Sequence, residues 1–365
     1  MKIAFDNFKM SEENNNILSK YDLYSYNDNT KIKEFEKNFA EYTNSKYCMQ
    51  IDSGINVLKI ALEALKIKKN DEILIQGDMS ILDLTYLIKL GYKFKCLDID
   101  STTLMIDISK LEQNIDKTTK VIIASHLYGN CADMDNIMKI AKKHKIYVIE
   151  DVTDAIGSFY KNQKLGSIGD IGCFSFNANN NLKVLGNCGA IITNNEKIFN
   201  VVKNIDKKIK NEQSNDYAKY ISPNSLDYIQ ADMLNNNLTI LDNQNKIRRH
   251  LRKKYIRLLS VSKDIVIPEQ KCICDSASNV FIIKVLNKQI RNKLRKYLDH
   301  YNISTKIHKN VENLIEQWDT QHIKQEVKLL QIQEILDCVI YLPIFPQLSE
   351  EKVIFITQKL CGKNE

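Results

Sequence analysis

In the stretch Gly172–Ala190 a polar turn rich in asparagine, containing Asn177, Asn179, Asn180, Asn181, Lys183 and Asn187, joins one apolar segment to a second. A turn of that kind between two segments apolar enough to be buried strands is where chemistry should sit. Asn180 has neither a nucleophilic nitrogen nor a titratable proton, so it can hydrogen-bond but cannot form an imine or act as a base. Lys183 carries the amine of the turn, and as a side chain it reads as a solvated or anion-contacting lysine. Ser53-Gly54 stands between a short strand and a helix, an arrangement that points backbone N–H groups at an anion, although Ser53 could equally be an ordinary helix cap. His126 could be an acid or base, as an imidazole can, with a satisfied core histidine as the plainer reading. Asp151 at a strand end can cap the next helix, and the Ser175 hydroxyl can satisfy a backbone group.

The elements that must position these residues follow from periodicity. Ile32, Phe35, Phe39 and Tyr42 fall on one face of an amphipathic helix over residues 31–42. A strand at 47–51 leads through Ser53-Gly54 into a helix with Leu58, Ala61, Leu62 and Leu65. Strands are predicted at 72–75, 93–97, 121–124 and 146–149, alternating with helices at 82–90, 108–114 and 134–143. That alternation implies an α/β fold with a largely parallel sheet and helices on both faces. Ligands of such sheets gather outside the carboxyl ends of the strands. Three segments end there, at Gly54, at Gly129 and at Asp151, and the turn 177–188 should join them. After Asn194 the chain reads as helical and polar, with a mobile loop over 211–220. A second hydrophobic unit begins near Leu238: a basic helix 245–259, strand 279–285, helix 288–300, strand 304–307 and helix 350–359, making a small α+β unit. The expected units are therefore 1–238 and 239–365.

Composition narrows the classes of function. The length of 365 residues is enough for about two domains. The 44% hydrophobic content excludes a disordered polymer, and no apolar run reaches the roughly 20 residues of a membrane span. No apolar run with a cleavage site opens the chain, so a cytoplasmic location is expected. Nine cysteines without a C-x-x-C fit reduced thiols better than a disulfide framework or a metal site. The net charge of +7 is spread over lysine-rich helices without interleaved aromatics, which argues against nucleic acid as a partner.

Ordered motifs then resemble one family, the DegT/DnrJ/EryC1/StrS aminotransferases, which use pyridoxal phosphate (PLP) on nucleotide-linked keto sugars. The matching residues are Ser53-Gly54, His126-Leu-Tyr-Gly129 with Asp133-Met134, Glu150-Asp151 with Ala155 and Gly157, and Gly166-Ser-x-Gly-Asp170. Ser175-Phe176 with Asn181-Leu182 and Gly189, Asn224-Ser with Leu226-Asp227 and Gln230-Ala231, and Leu342-Pro-x-x-Pro346 complete the set. The resemblance implies a fold-type-I aminotransferase architecture with a large α/β domain and a smaller C-terminal α+β domain. It also implies a homodimer with sites at the interface, where the segment of Asn224 reaches across.

The resemblance places the family's Schiff-base lysine at Asn180, so PLP cannot be held covalently there. It assigns Ser53, Gly54, Ile55 and Ser175 to the cofactor phosphate, Asp151 to the pyridinium nitrogen, Asp154 to a position beside the ring, and Asn224, in the segment that reaches across the dimer, to cofactor binding as well. Several positions depart from the pattern: Ile55 stands for a threonine, Asn56 for a small residue, Ser80 for the stacking aromatic, Asp154 for a glutamine and Asn187 for a glutamate, while an arginine after Ser225 is missing. His308 corresponds to a histidine near the substrate entrance.

Three functions are open at this point. One is a sugar-nucleotide enzyme with an altered mechanism, using free pyridoxamine phosphate or no cofactor, with proton transfer from Lys183, His126 or Asp154. Another is a non-catalytic or regulatory nucleotide-sugar-binding protein, paired with itself or with an active paralogue. The third is a conventional aminotransferase that uses Lys183.

Overall fold

The computed structural model describes residues 2–6, 14, 16–17, 30–212, 224–270, 274–307, 323–324 and 330–362. Strands β1 (Tyr47–Ile51), β2 (Glu72–Gln76), β3 (Lys93–Leu97), β4 (Thr119–Ser125) and β5 (Tyr147–Asp151) alternate with helices α1 (Thr30–Thr43), α2 (Gly54–Ala64), α3 (Ile81–Lys89), α4 (Ile108–Leu111) and α5 (Met134–His144). Two short strands, β6 (Phe159–Tyr160) and β7 (Gln163–Lys164), precede β8 (Ile171–Phe176) and β9 (Cys188–Thr193). Helices α6 (Glu196–Glu212) and α7 (Asn224–Leu259) lead to β10 (Cys274–Asp275), β11 (Val280–Lys284), α8 (Lys288–His300), β12 (Ile323–Lys324), α9 (Leu330–Leu336), β13 (Val339–Pro343) and α10 (Glu350–Cys361).

The main sheet runs β1–β9–β8–β5–β4–β2–β3–β12. From β8 to β12 every neighbour is parallel, and β9 pairs antiparallel with both β8 and β1. Side chains alternate between its faces, as the period of two requires. Ile73, Ile75, Val121 and Ile123 face a cluster with α2, while Leu74, Ile122 and Ala124 face one with Phe35, Phe39 and Ile137. Burying both faces explains why these strands read as continuous apolar runs. Phe39 meets Phe174 and Phe176 edge-on, with centroids 5.0 and 5.5 Å away, which fixes α1 over β8.

A third apolar cluster joins the two-stranded antiparallel sheet of β11 and β13 to α8, α10 and the end of α7. Ile3 belongs to this cluster through a parallel bridge to Ile303, so the amino-terminal segment packs on the C-terminal unit.

Two expected elements are corrected. The basic helix begins at Asn224 and not near residue 245, and it runs unbroken through the expected boundary after 238. Tyr228, Ile229 and Leu234 pack in the second cluster, while Leu251, Tyr255 and Leu259 pack in the third. A rigid helix thus passes from one core to the next where a linker could have been. The segment 304–307 forms no strand; it contributes one bridge, Lys306 to Tyr341. Of the loop expected over 211–220, Asn211 and Glu212 close α6 and the remainder lies outside the described residues. Cys48, Cys96, Cys274, Cys338 and Cys361 are free thiols. Among the described residues no helix is long and apolar enough to cross a membrane, and no group of His, Cys, Asp and Glu could hold a metal ion.

Candidate functional site

A cleft of about 560 Å³ opens at the carboxyl ends of the central strands. Ser53, Gly54 and Ile55 follow β1, Asp78 and Ser80 follow β2, and Leu127 and Tyr128 follow β4. Asp151 ends β5 and Thr153 and Asp154 follow it, Ser175 lies near the end of β8, and Asn177, Asn179, Asn180 and Asn187 come from the turn between β8 and β9. The small sheet closes the far wall with Asn279, Val280 and Tyr341.

At one end α2 points its amino terminus into the cleft. Ser53 is its N-cap in extended conformation and makes no side-chain cap, and the Asn56 N–H bonds back to the Ser53 carbonyl. The helix therefore begins with N–H groups that have no partner within the helix, the usual setting for an anion. Gly54 is required here by contact: a Cβ would lie 2.1 Å from Ser175 Oγ.

Elsewhere the lining is acidic and amidic. Asp151 is 7% exposed; its Oδ1 accepts from Thr153 Oγ1 at 2.8 Å and from the Thr153 N–H at 3.2 Å. Burial raises its proton affinity, against the Thr153 hydrogen bonds. Burial, and then the neighbouring Asp151 charge, push Asp154 up to about 6. Asp78 accepts a 2.6 Å hydrogen bond from the Tyr128 hydroxyl. Burial, followed by that carboxylate, holds the Tyr128 phenol well above its ordinary range.

Asn180 is 3% exposed. Its Nδ2 donates to the Thr153 carbonyl at 2.9 Å, and its buried Oδ1 has no hydrogen-bond partner among the described residues. Asn181 fixes the turn from behind by donating to the carbonyls of Ala277 and Ile156. From α7, Gln230 donates to the Leu185 carbonyl at 2.8 Å and Asn237 to the Lys183 carbonyl at 2.8 Å.

The structure therefore brings together Ser53, Gly54, Ile55, Asp151, Asp154, Ser175 and Asn180. It does not place Lys183 or His126 in the lining. Lys183 Nζ is 2.9 Å from Asp6 in an ion pair. His126 is fully buried: Nδ1 accepts the Ala132 N–H at 3.2 Å, so Nε2 carries the proton and faces Glu150 Oε2 at 3.2 Å. Glu150 also accepts from the N–H groups of Gly166, Ile168 and Gly169, so this pair organises the 166–169 loop under the sheet end. Asn224 opens α7 and its side chain lies outside the described residues, as does His308.

Residues the sequence did not single out are Asp78, Thr153, Asn279 and Tyr341. Asp78 and Thr153 follow strands as Ser53 does, a position that could have marked them. Asn279 and Tyr341 reach the cleft only through the tertiary arrangement of the small sheet, and nothing local marks them.

Among the described residues lining the cleft there is no lysine, arginine or histidine. A cofactor joined to the chain through an imine needs an amine, and this lining supplies none. The residues present do not fit covalently held PLP.

A model of the DegT/DnrJ/EryC1/StrS aminotransferase family matches residues 10–361. The chain is 31% identical over 330 residues to the dTDP-3-amino-3,6-dideoxy-alpha-D-galactopyranose transaminase of Aneurinibacillus thermoaerophilus, covering 88% of this chain and 87% of the relative. It is 29% identical over 333 residues to the pleiotropic regulatory protein of Geobacillus stearothermophilus, covering 90% and 88%. A solved GDP-4-keto-6-deoxymannose-3-dehydratase carrying a trapped PLP–glutamate geminal diamine superposes with a TM-score of 0.85, at 18% identity, over 98% of this chain and 99% of that one.

Proposed function

Since this chain belongs to the DegT/DnrJ/EryC1/StrS aminotransferase family, we propose that its cleft takes a nucleotide-linked sugar in sugar biosynthesis and works without a lysine imine. The observation that carries the reading is the amidic floor of the cleft: where the family's lysine is expected stands Asn180, buried and tied to the Thr153 carbonyl. The amine of Lys183 is held by Asp6 and is not part of the lining, which argues against a transaminase built on Lys183.

The two ends of the cleft divide the work of binding. The amino terminus of α2, with Ser53, Gly54, Ile55 and Ser175, suits the phosphate of a ligand. Asp151 and Asp154 suit donors at the opposite end. Bound without an imine, pyridoxamine phosphate would supply an amino group and an electron sink. Ser53, Gly54, Ile55 and Ser175 would hold its phosphate and Asp151 its ring nitrogen. Ser80 offers no π face for the ring. Asp154, its proton affinity raised into the neutral range, is the group of this chain best suited to exchange a proton inside the cleft.

The likeness to the regulatory protein supports a second reading, a binding protein without turnover. We take the protein as cytoplasmic and homodimeric, with pairing to an active paralogue as the alternative assembly, and the units 1–238 and 239–365 as the parts joined by α7.

Calorimetric titration with dTDP- and GDP-linked sugars tests the reading. Micromolar binding of at least one, weakened by substitution at Ser53 or Ser175, is expected; no binding of any would refute it. Turnover of a bound keto sugar with pyridoxamine phosphate present would then distinguish the enzyme from the binding protein.

A further inference from the structure

Residues 2–6 contact elements that carry two walls of the cleft, and none of these residues lines it. Ile3 is buried in the third cluster; its N–H donates to the Asn302 carbonyl at 2.8 Å and its carbonyl accepts the Ser304 N–H at 2.9 Å. The Phe5 ring lies against the Lys306 ammonium, 4.3 Å from centroid to Nζ. The Lys306 backbone in turn exchanges hydrogen bonds in both directions with Tyr341, which lines the far wall. On the side of the asparagine turn, Asp6 accepts from Lys183 Nζ through both oxygens, at 2.9 and 3.1 Å. The Lys183 carbonyl accepts from Asn237 at 2.8 Å, so this residue of the turn is tied by its side chain and by its backbone.

Asp6 acts on a second cation as well. Arg248 of α7 is 2% exposed, and its Nη1 donates to Asn245 Oδ1 at 3.0 Å. Burial pushes the guanidinium down to about 10, and the charge of Asp6 opposes that shift. An ion pair on an open surface contributes little, but Lys183 and Asp6 are only 17% and 24% exposed, and a buried arginine deprived of its counter-charge is costly. The carboxylate at position 6 therefore joins three parts of the chain: the segment 2–6, the turn and α7.

We propose that residues 2–6 are a strap that sets the asparagine turn against the small-sheet wall of the cleft, with Asp6 as its positioning residue. This rests on the reading that the cleft takes a nucleotide-linked sugar: the strap touches no ligand and acts on affinity through Asn177, Asn179 and Asn180 of the turn and through Tyr341. Leu182 and Val184 of the turn are fully buried in the second cluster, so apolar burial alone is the alternative hold.

Hydrogen exchange read by mass spectrometry, and calorimetric titration with dTDP- and GDP-linked sugars, are compared for the full chain and its variants. Asp6→Asn, isosteric and uncharged, speeds exchange across 177–188 by about tenfold, the change that one lost charge-assisted hydrogen bond implies. It weakens the sugar that the native chain binds by about fivefold, the lower end of ordinary couplings between separate sites. Asp6→Glu keeps the charge and stays close to the native chain in both readouts. Lys183→Gln added to Asp6→Asn changes little further, because both break one pair. Thr119→Val is the control for mere loss of stability: it removes a buried hydrogen bond to Glu72 at the amino-terminal ends of β2 and β4, and leaves exchange in the turn unchanged. Native exchange in the Asp6→Asn turn, or equal acceleration by Thr119→Val, overturns the strap and leaves the turn to Leu182 and Val184. Faster exchange with undiminished affinity overturns Asp6 as a positioning residue. Failure of the native chain to bind any of the sugars refutes the reading of the cleft, and the exchange comparison still decides the strap.

Discussion

At the scale of single residues, Asp154 gives the cleft a pH signature. Its proton affinity is raised by burial and by Asp151, to about 6 from an ordinary value of 3.8. The folded protein therefore holds this proton more tightly than the unfolded chain does. The stability this contributes is fully present below the unfolded value and is lost as pH rises through about 6. Asp154→Asn removes the dependence. The melting temperature of the variant relative to the native chain should rise between about pH 4 and pH 6.5 and then level off, as measured by scanning fluorimetry. A gap that narrows with rising pH would contradict the assignment.

Gly54 makes a second prediction at this scale. Gly54→Ala drives a methyl into Ser175 Oγ and should lower the melting temperature and weaken nucleotide-sugar binding. Adding Ser175→Gly to that variant removes the clash and should recover part of the stability, so the double variant is more stable than Gly54→Ala alone. Both residues were visible in the sequence, Gly54 at a strand–helix junction and Ser175 in the apolar segment that leads into the polar turn. Their mutual contact was not, since 121 positions separate them and only the pairing of β1 and β8 with β9 brings them together.

At the scale of elements, the asparagine turn is held by α7. Gln230 and Asn237 each donate to a turn carbonyl at 2.8 Å. Gln230→Ala with Asn237→Ala should cost about 1 kcal/mol per lost bond and speed hydrogen exchange across 177–188 while β8 and β9 stay protected. Unchanged exchange in the turn would show that Asn181 and the strands hold it without α7. The strands and helices between residues 30 and 151 fall within a residue or two of what hydrophobic period predicts, because each buries a regular face; the exception is the helix expected over 108–114, whose α-helical part ends at Leu111 and gives way to a 3-10 turn at Glu112–Asn114. The first half of α7 did not show itself for the same physical reason in reverse. Its run Asn235-Asn236-Asn237 has low helix propensity, and its asparagines make side-chain bonds to neighbouring chain, as Asn235 does to the Lys31 carbonyl. The segment 304–307 makes one isolated bridge, at Lys306, while the Ser304 N–H goes to the Ile3 carbonyl, so no ladder forms.

At the scale of the whole molecule, two features couple the units: α7 belongs to two apolar clusters, and Ile3 packs with the third. A fragment ending at residue 238 would cut α7 and leave Ile3 without its cluster, so we expect it to be insoluble or unfolded when expressed alone. A folded, monodisperse fragment with a sharp melt would show instead that the large unit is self-sufficient. The family and its sheet architecture were legible because ordered motifs lie at strand ends along nearly the whole chain. The chemistry was legible only by what position 180 lacks. That the described lining of the cleft holds Asn180 and no cation depends on tertiary placement: Lys183, three residues on, pairs with Asp6.

The central claim is that no amine of this chain serves the cleft. Its most direct test is to saturate the purified protein with PLP, reduce with borohydride, and map pyridoxyl-lysine by mass spectrometry. The structure predicts no absorbance band of a specific imine and no stoichiometric adduct in the turn 177–188. One pyridoxyl group per chain on Lys183 would contradict it, and would return the protein to imine-based transamination.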